Sequence, residues 1–148
     1  MKIAIGADHA GYELKEAVES HLREAGHEVV DFGTDGADSV DYPDYGGPAA
    51  AEVAAGRAER GVLFCGSGQG MCMVANKVAG VRAALAWTRQ IGELSRRHND
   101  ANVLCLPARF IDEATALDIV DGWLEAPFEG GRHERRVSKM MNEKREET

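Results

Sequence analysis

The sequence predicts a single α/β domain built on a five-stranded parallel sheet, and three observations carry that prediction. Short apolar strands alternate with helical stretches along the chain, as βαβ units require, and such a sheet is covered by helices on both faces. The third strand runs directly into a loop with glycine at every second position and then into a helix. The chain has 148 residues, enough for one full core and too few for a second, so the domain is expected to span 1–148.

The elements follow in order. Residues 2–6 read as a short buried strand. Leu14, Ala17, Val18 and Leu22 form one helical stripe, and Gly26 closes that helix. Residues 27–32 are strand-like. Residues 34–43, rich in Gly, Asp and Ser, read as a loop. Pro48 marks the start of an alanine-rich helix that Gly56 ends. Residues 61–65 are the third strand, and a helix follows over 71–77. Residues 81–87 read as the fourth strand, Thr88 caps a helix to about Arg97, and 103–106 is the fifth strand. Asp112 caps a helix over 113–124, which Pro127 terminates. A charged helix is expected over about 132–146.

Composition narrows the function classes. The formal net charge of −8 argues against nucleic acid as the main partner. No apolar run is long enough to span a bilayer, and the N-terminus enters a strand with no signal-peptide pattern. Three cysteines, none in a C-x-x-C pair, make neither a disulfide framework nor a zinc site. A reducing, cytoplasmic setting is the expectation.

Ligands of open parallel sheets sit beyond the carboxyl ends of the strands. The polar residues at those ends are Asp8 and His9, then 65–70, then Arg109. In Cys65-Gly66-Ser67-Gly68-Gln69-Gly70 the glycines allow backbone N–H groups close to an anion, and the following helix points its positive end there. A cysteine at that mouth is expected to have a lowered pKa and to act as a thiolate base. The spacing is neither a dinucleotide fingerprint nor a Walker loop, and no Arg follows as in a cysteine phosphatase. Cys72 and Cys105 lack such a context and read as inert core residues. Asp8 and His9 fit either a helix cap beside a solvent-facing imidazole or a proton-moving, hydroxyl-binding pair. Arg132 and Arg136 sit four apart and share a helical face in the one dense cationic cluster, which suits a phosphate dianion or a solvated helix.

Taken together, Gly6-Ala7-Asp8-His9-Ala10-Gly11, Asp41-Tyr42-Pro43-Asp44-Tyr45, Cys65 through Met71, Ala75-Asn76-Lys77, Arg97-His98-Asn99 and Arg132-His133-x-x-Arg136 resemble the sugar-phosphate isomerase family of ribose-5-phosphate isomerase B and the galactose-6-phosphate isomerase subunits. The resemblance covers nearly the whole chain. It implies a Rossmann-like three-layer α/β/α sandwich, no metal and no cofactor. It also implies a homodimer, or a dimer of dimers, with active sites shared between subunits and the C-terminal helix packing on or reaching the partner.

The resemblance also assigns roles. Cys65 matches the base that moves a proton between C1 and C2 of a cis-enediolate. Gly66, Ser67, Gly68 and Gly70 match the oxyanion hole. His98 matches the group that opens the furanose ring, with Asp8 assisting at the sugar hydroxyls. Tyr42 and Asn99 match substrate-positioning residues, and His9, Arg109, Arg132 and Arg136 the phosphate-binding set. One family branch carries glutamate where this chain has Met71, so the chain fits the cysteine branch. The implied reaction interconverts ribose 5-phosphate and ribulose 5-phosphate. A six-carbon phosphate such as allose or galactose 6-phosphate, or a non-catalytic sugar-phosphate-binding role, are the alternatives.

Overall fold

The structure, a computed structural model, describes residues 1–142. Strands β1 (Lys2–Ala7), β2 (Glu28–Asp31), β3 (Arg60–Cys65), β4 (Ala83–Leu85) and β5 (Val103–Pro107) form one parallel sheet in the order β2-β1-β3-β5-β4. The helices are α1 (Tyr12–Glu24), α2 (Pro43–Ala54), α3 (Gln69–Asn76), α4 (Arg89–Asn99), α5 (Glu113–Glu125) and α6 (Arg132–Met141).

The central strands are apolar on both faces because both faces are covered. Ile3, Ile5, Val62, Phe64, Leu104 and Leu106 point into one core with Val18, Leu22, Ile119 and Trp123 of α1 and α5. Ala4, Leu63, Cys65, Val103 and Cys105 point into the other, with Ala49, Ala50, Met71 and Ala75 of α2 and α3. Crossovers toward β2 or back from β4 run through α1 and α4, and those in the opposite direction through α2 and α3. This sorting is what crossovers of one hand impose. Its consequence is functional. The chain leaves β1 and β5 toward one face and leaves β3, between them, toward the other, so the carboxyl ends of these three strands are the switch point at which an open parallel sheet is expected to form its ligand crevice.

Several caps stand where the sequence put them. Thr88 Oγ1 accepts from Ile91 N–H at 3.2 Å, and Asp112 Oδ1 from Thr115 N–H at 2.8 Å. Gly26 (φ +92°) ends α1 in a left-handed turn whose N–H bonds Arg23 O, while His27 N–H bonds Leu22 O.

Three boundaries differ most. Helix α2 starts at Pro43, not Pro48, because Pro43 supplies the favoured first-turn proline and Pro48 sits inside the helix. Strand β4 is three residues rather than seven, since as an edge strand it pairs with β5 alone. Side-chain amides extend its pairing: Asn76 bonds both N–H and C=O of Ala83, and Asn102 bonds Arg82 N–H and Gly80 O. Helix α6 runs to Met141, and the part of the expected helix over 143–146 lies outside the described residues. No helix among the described residues is long and apolar enough to cross a membrane.

Gly11 lets α1 start directly against β3: a Cβ there would lie 2.6 Å from Phe64 O and 2.7 Å from its carbonyl carbon. Gly11→Ala should therefore cost about 1–3 kcal/mol of stability. Gly36→Ala, in open space, should stay within about 0.5 kcal/mol of wild type. Urea denaturation of both variants checks this, and equal effects would contradict the packing described.

Candidate active site

Cys65 is the last residue of β3, 5% exposed, and lies beneath the turn that opens α3. Gly68, the residue before that helix, has φ +76°, and a Cβ on it would come within 2.5 Å of Leu85 Cδ1. Only glycine meets both demands. The turn aims the N–H groups of Gly68, Gly70 and Met71 at the Cys65 thiol. Burial is the largest influence on that thiol and raises its pKa. The three N–H groups pull it down, the Asp8 carboxylate pushes it up, and the net shift is upward. The expected lowering is thus corrected: removal from water outweighs the donors, and the resting group is a thiol.

The crevice gathers most of the other expected residues. Asp8, 7% exposed, accepts N–H bonds from Ala10 (3.0 Å) and Gly11 (3.1 Å) at Oδ1, so it does cap the turn before α1 while its charge acts on Cys65. His9 Nδ1 accepts from Val40 N–H at 3.1 Å, which places the ring proton on Nε2. The Tyr42 ring lies against Gly70, where a Cβ would come within 2.7 Å of Tyr42 Cζ. Arg109 N–H bonds Gly66 O at 3.0 Å, and its guanidinium lies over Gly66. Ser67 Oγ accepts from Gln69 N–H at 3.3 Å at the lip of the loop.

His98, Asn99, Arg132 and Arg136 are elsewhere. Helix α4 starts at the carboxyl edge of the sheet and ends at the amino edge, and α6 begins there too. Arg60, which opens β3, is within electrostatic reach of Arg96 and Asp100 at the end of α4, while Cys65 closes the same strand. A six-residue strand spans about 17 Å, so the two groups sit well apart in one chain. The His98 ring stacks on His133, with centroids 4.3 Å apart and planes within 7°. Glu129 Oε1 lies 3.7 Å from His98 Nε2 and 3.6 Å from His133 Nε2. The rings lie in nearly parallel planes, so their Nε2 lone pairs do not meet at a common point, and the trio as it stands is a polar contact cluster and not a metal cage. Burial, together with the His98, Arg132 and Arg136 charges, lowers the His133 pKa despite Glu129. Arg132 and Arg136 are exposed and make no ion pair among the described residues. Asn99 lines a hollow of about 500 Å³ with Asn76, Arg82 and Met140.

A model of the family described as ribose/galactose isomerase matches residues 3–140. The chain belongs to that family. It is similar to ribose-5-phosphate isomerase B of Escherichia coli K12, 46% identical over 136 residues that cover 92% of this chain and 91% of that protein. The solved ribose-5-phosphate isomerase B of Clostridium thermocellum matches with a TM-score of 0.94 at 50% identity, over 95% of each chain. That of Mycoplasma genitalium, with bound ribulose-5-phosphate, matches with a TM-score of 0.92 at 43% identity, over 95% of this chain and 93% of that one.

Sequence reasoning missed the partners of His98. Glu129 and His133 stand four apart, a spacing that was readable, but stacking across two helices was not. It also took Cys72 as inert. Half-buried Cys72 donates to Ala83 O at 3.4 Å and accepts from Asn76 Nδ2 at 3.7 Å, and the neighbouring, fully buried Cys105 thiol favours its charged form, so that its pKa is lowered to about 7. Cys105 is pushed well up by burial. Iodoacetamide at neutral pH should therefore label Cys72 ahead of Cys65 and leave Cys105 untouched in the folded protein. Peptide mass mapping over time checks this, and first labelling at Cys65 would contradict the burial argument.

Proposed function

We propose that this protein interconverts ribose 5-phosphate and ribulose 5-phosphate, with Cys65 as the base. The observation that supports this best is the Cys65 sulfur set among three convergent backbone N–H groups in the crevice. In the open-chain aldose, the proton on C2 is acidic only if charge on the C1 oxygen is stabilised. The N–H groups at Gly68, Gly70 and Met71, with Ser67 and Gly66 at the lip, supply preorganised donors for that oxygen. Cys65 takes the proton from C2, the C1–C2 double bond of the cis-enediolate forms, and the same proton returns to C1. The O2 proton passes to the C1 oxygen, so that C1 becomes the alcohol carbon and the carbonyl forms at C2. Asp8 is assigned to the sugar hydroxyls, Tyr42 and Asn99 to substrate positioning, and His98 to ring opening.

The phosphate is assigned to His9, Arg109, Arg132 and Arg136. These residues fall at opposite edges of the sheet, as do Cys65 and His98. We therefore propose a homodimer in which the carboxyl-edge crevice of one chain meets the α4 and α6 ends of its partner. Two exposed arginines one turn apart, without ion pairs among the described residues, support an external anion. The acidic net charge and the three free cysteines favour a cytoplasmic metabolic enzyme over a nucleic-acid partner.

A coupled assay without added metal, over pentose and hexose phosphates, tests this reading. Turnover is expected on ribose 5-phosphate, and Cys65→Ala should lower kcat by at least about a hundredfold with KM nearly unchanged. Near-normal turnover of Cys65→Ala, or turnover confined to hexose phosphates, would overturn the assignment. The raised thiol pKa adds a sign. The active form is deprotonated, so kcat/KM should rise with pH through and beyond the ordinary thiol range of about 8.5. A plateau reached below neutrality would contradict it.

A further inference from the structure

We propose that the buried Lys15–Asp31 ion pair is a positioning device for His9, acting through the segment 33–40. Lys15 is wholly buried, an unusual place for an ammonium. Its Nζ lies 2.6 Å from Asp31 Oδ2 and 2.9 Å from Glu16 Oε1. Burial opposes its charge, but the bonds from Asp31 and Glu16 outweigh that, and its pKa is raised. Replacing a buried ion pair with apolar residues is often neutral or stabilising, so stability alone does not account for this one.

The pair orients the Asp31 carboxylate. With Oδ2 held by Lys15, Oδ1 accepts from Gly33 N–H at 2.7 Å. Gly33 and Thr34 then bond to the end of β1: Ala7 N–H to Gly33 O and Thr34 N–H to Ala7 O, each at 2.7 Å. From there the chain runs to Val40, whose N–H donates to His9 Nδ1. One end of the segment is thus fixed by the ion pair, and the other fixes the His9 tautomer. Nε2–H is left as a donor, the form a phosphate oxygen requires. Lys15 and Asp31 touch no reacting atom and act only through the loop.

This inference rests on the reading of His9 as a phosphate ligand, and the test separates the two. The variants are Lys15→Met and Lys15→Met/Asp31→Leu, the second leaving only the half-exposed Glu16 carboxylate without its Lys15 partner. Both should fold, and kcat should change little. KM for ribose 5-phosphate and the inhibition constant of inorganic phosphate should each rise roughly fivefold to tenfold, because a displaced donor loses most of its bond. The rise should disappear when His9→Ala is already present. Ring ¹⁵N shifts of His9 give a substrate-free measure on Lys15→Met: the fixed Nε2–H tautomer of wild type should become a mixture. Wild-type constants and an unchanged tautomer in folded variants would overturn the coupling while the phosphate reading stands. A His9→Ala variant equal to wild type in both constants would overturn the phosphate reading and this proposal with it.

Discussion

The convergence of three backbone N–H groups on the Cys65 sulfur is the constraint on which the rest of the site depends. To make it, the chain must leave β3, turn and open α3 within five residues, between Cys65 and Met71. Side chains at Gly66, Gly68 and Gly70 would crowd so tight a turn, because the space they would fill is taken by neighbours. Arg109 lies over Gly66, Leu85 and Leu106 close on Gly68, and the Tyr42 ring rests on Gly70. The turn that makes the donors thus also fixes the residues around them. The sheet order completes the arrangement by placing β1 and β5 on either side of β3, so that Asp8, His9 and Arg109 arrive at the same edge.

Burial in this crevice sets the chemistry against a simple expectation. Glycine-loop donors lower a thiol pKa, yet at Cys65 desolvation and Asp8 prevail and raise it. A weaker acid is a stronger base, which suits the removal of a carbon-bound proton. The low-pKa thiol of the chain is instead Cys72, which faces Cys105 across the α3–β5 packing.

The sequence made the fold and half of the site legible for physical reasons. Strand alternation and caps such as Thr88 and Asp112 are local signals, and the structure follows them. Residues at strand ends converge by topology, so Asp8, Cys65 and Arg109 were readable as neighbours. Boundaries set by pairing were not: β4 is short because one neighbour alone bonds it. Neither were contacts made across elements, such as the His98–His133 stack, the Lys15–Asp31 pair or the Val40–His9 bond. Residue 48 misplaced a helix start because proline marks a first turn only when no better one precedes it.

The central claim is that Cys65 and His98, at opposite edges of one sheet, belong to one site through a partner chain. Mixing Cys65→Ala with His98→Asn tests it most directly, with ribose 5-phosphate turnover measured after confirmed subunit exchange. If the site is shared, each heterodimer carries one site with both lesions and one with neither. Random exchange in a two-fold dimer should then restore about a quarter of wild-type activity from two nearly inactive parents. A mixture no more active than its parents would contradict the shared site.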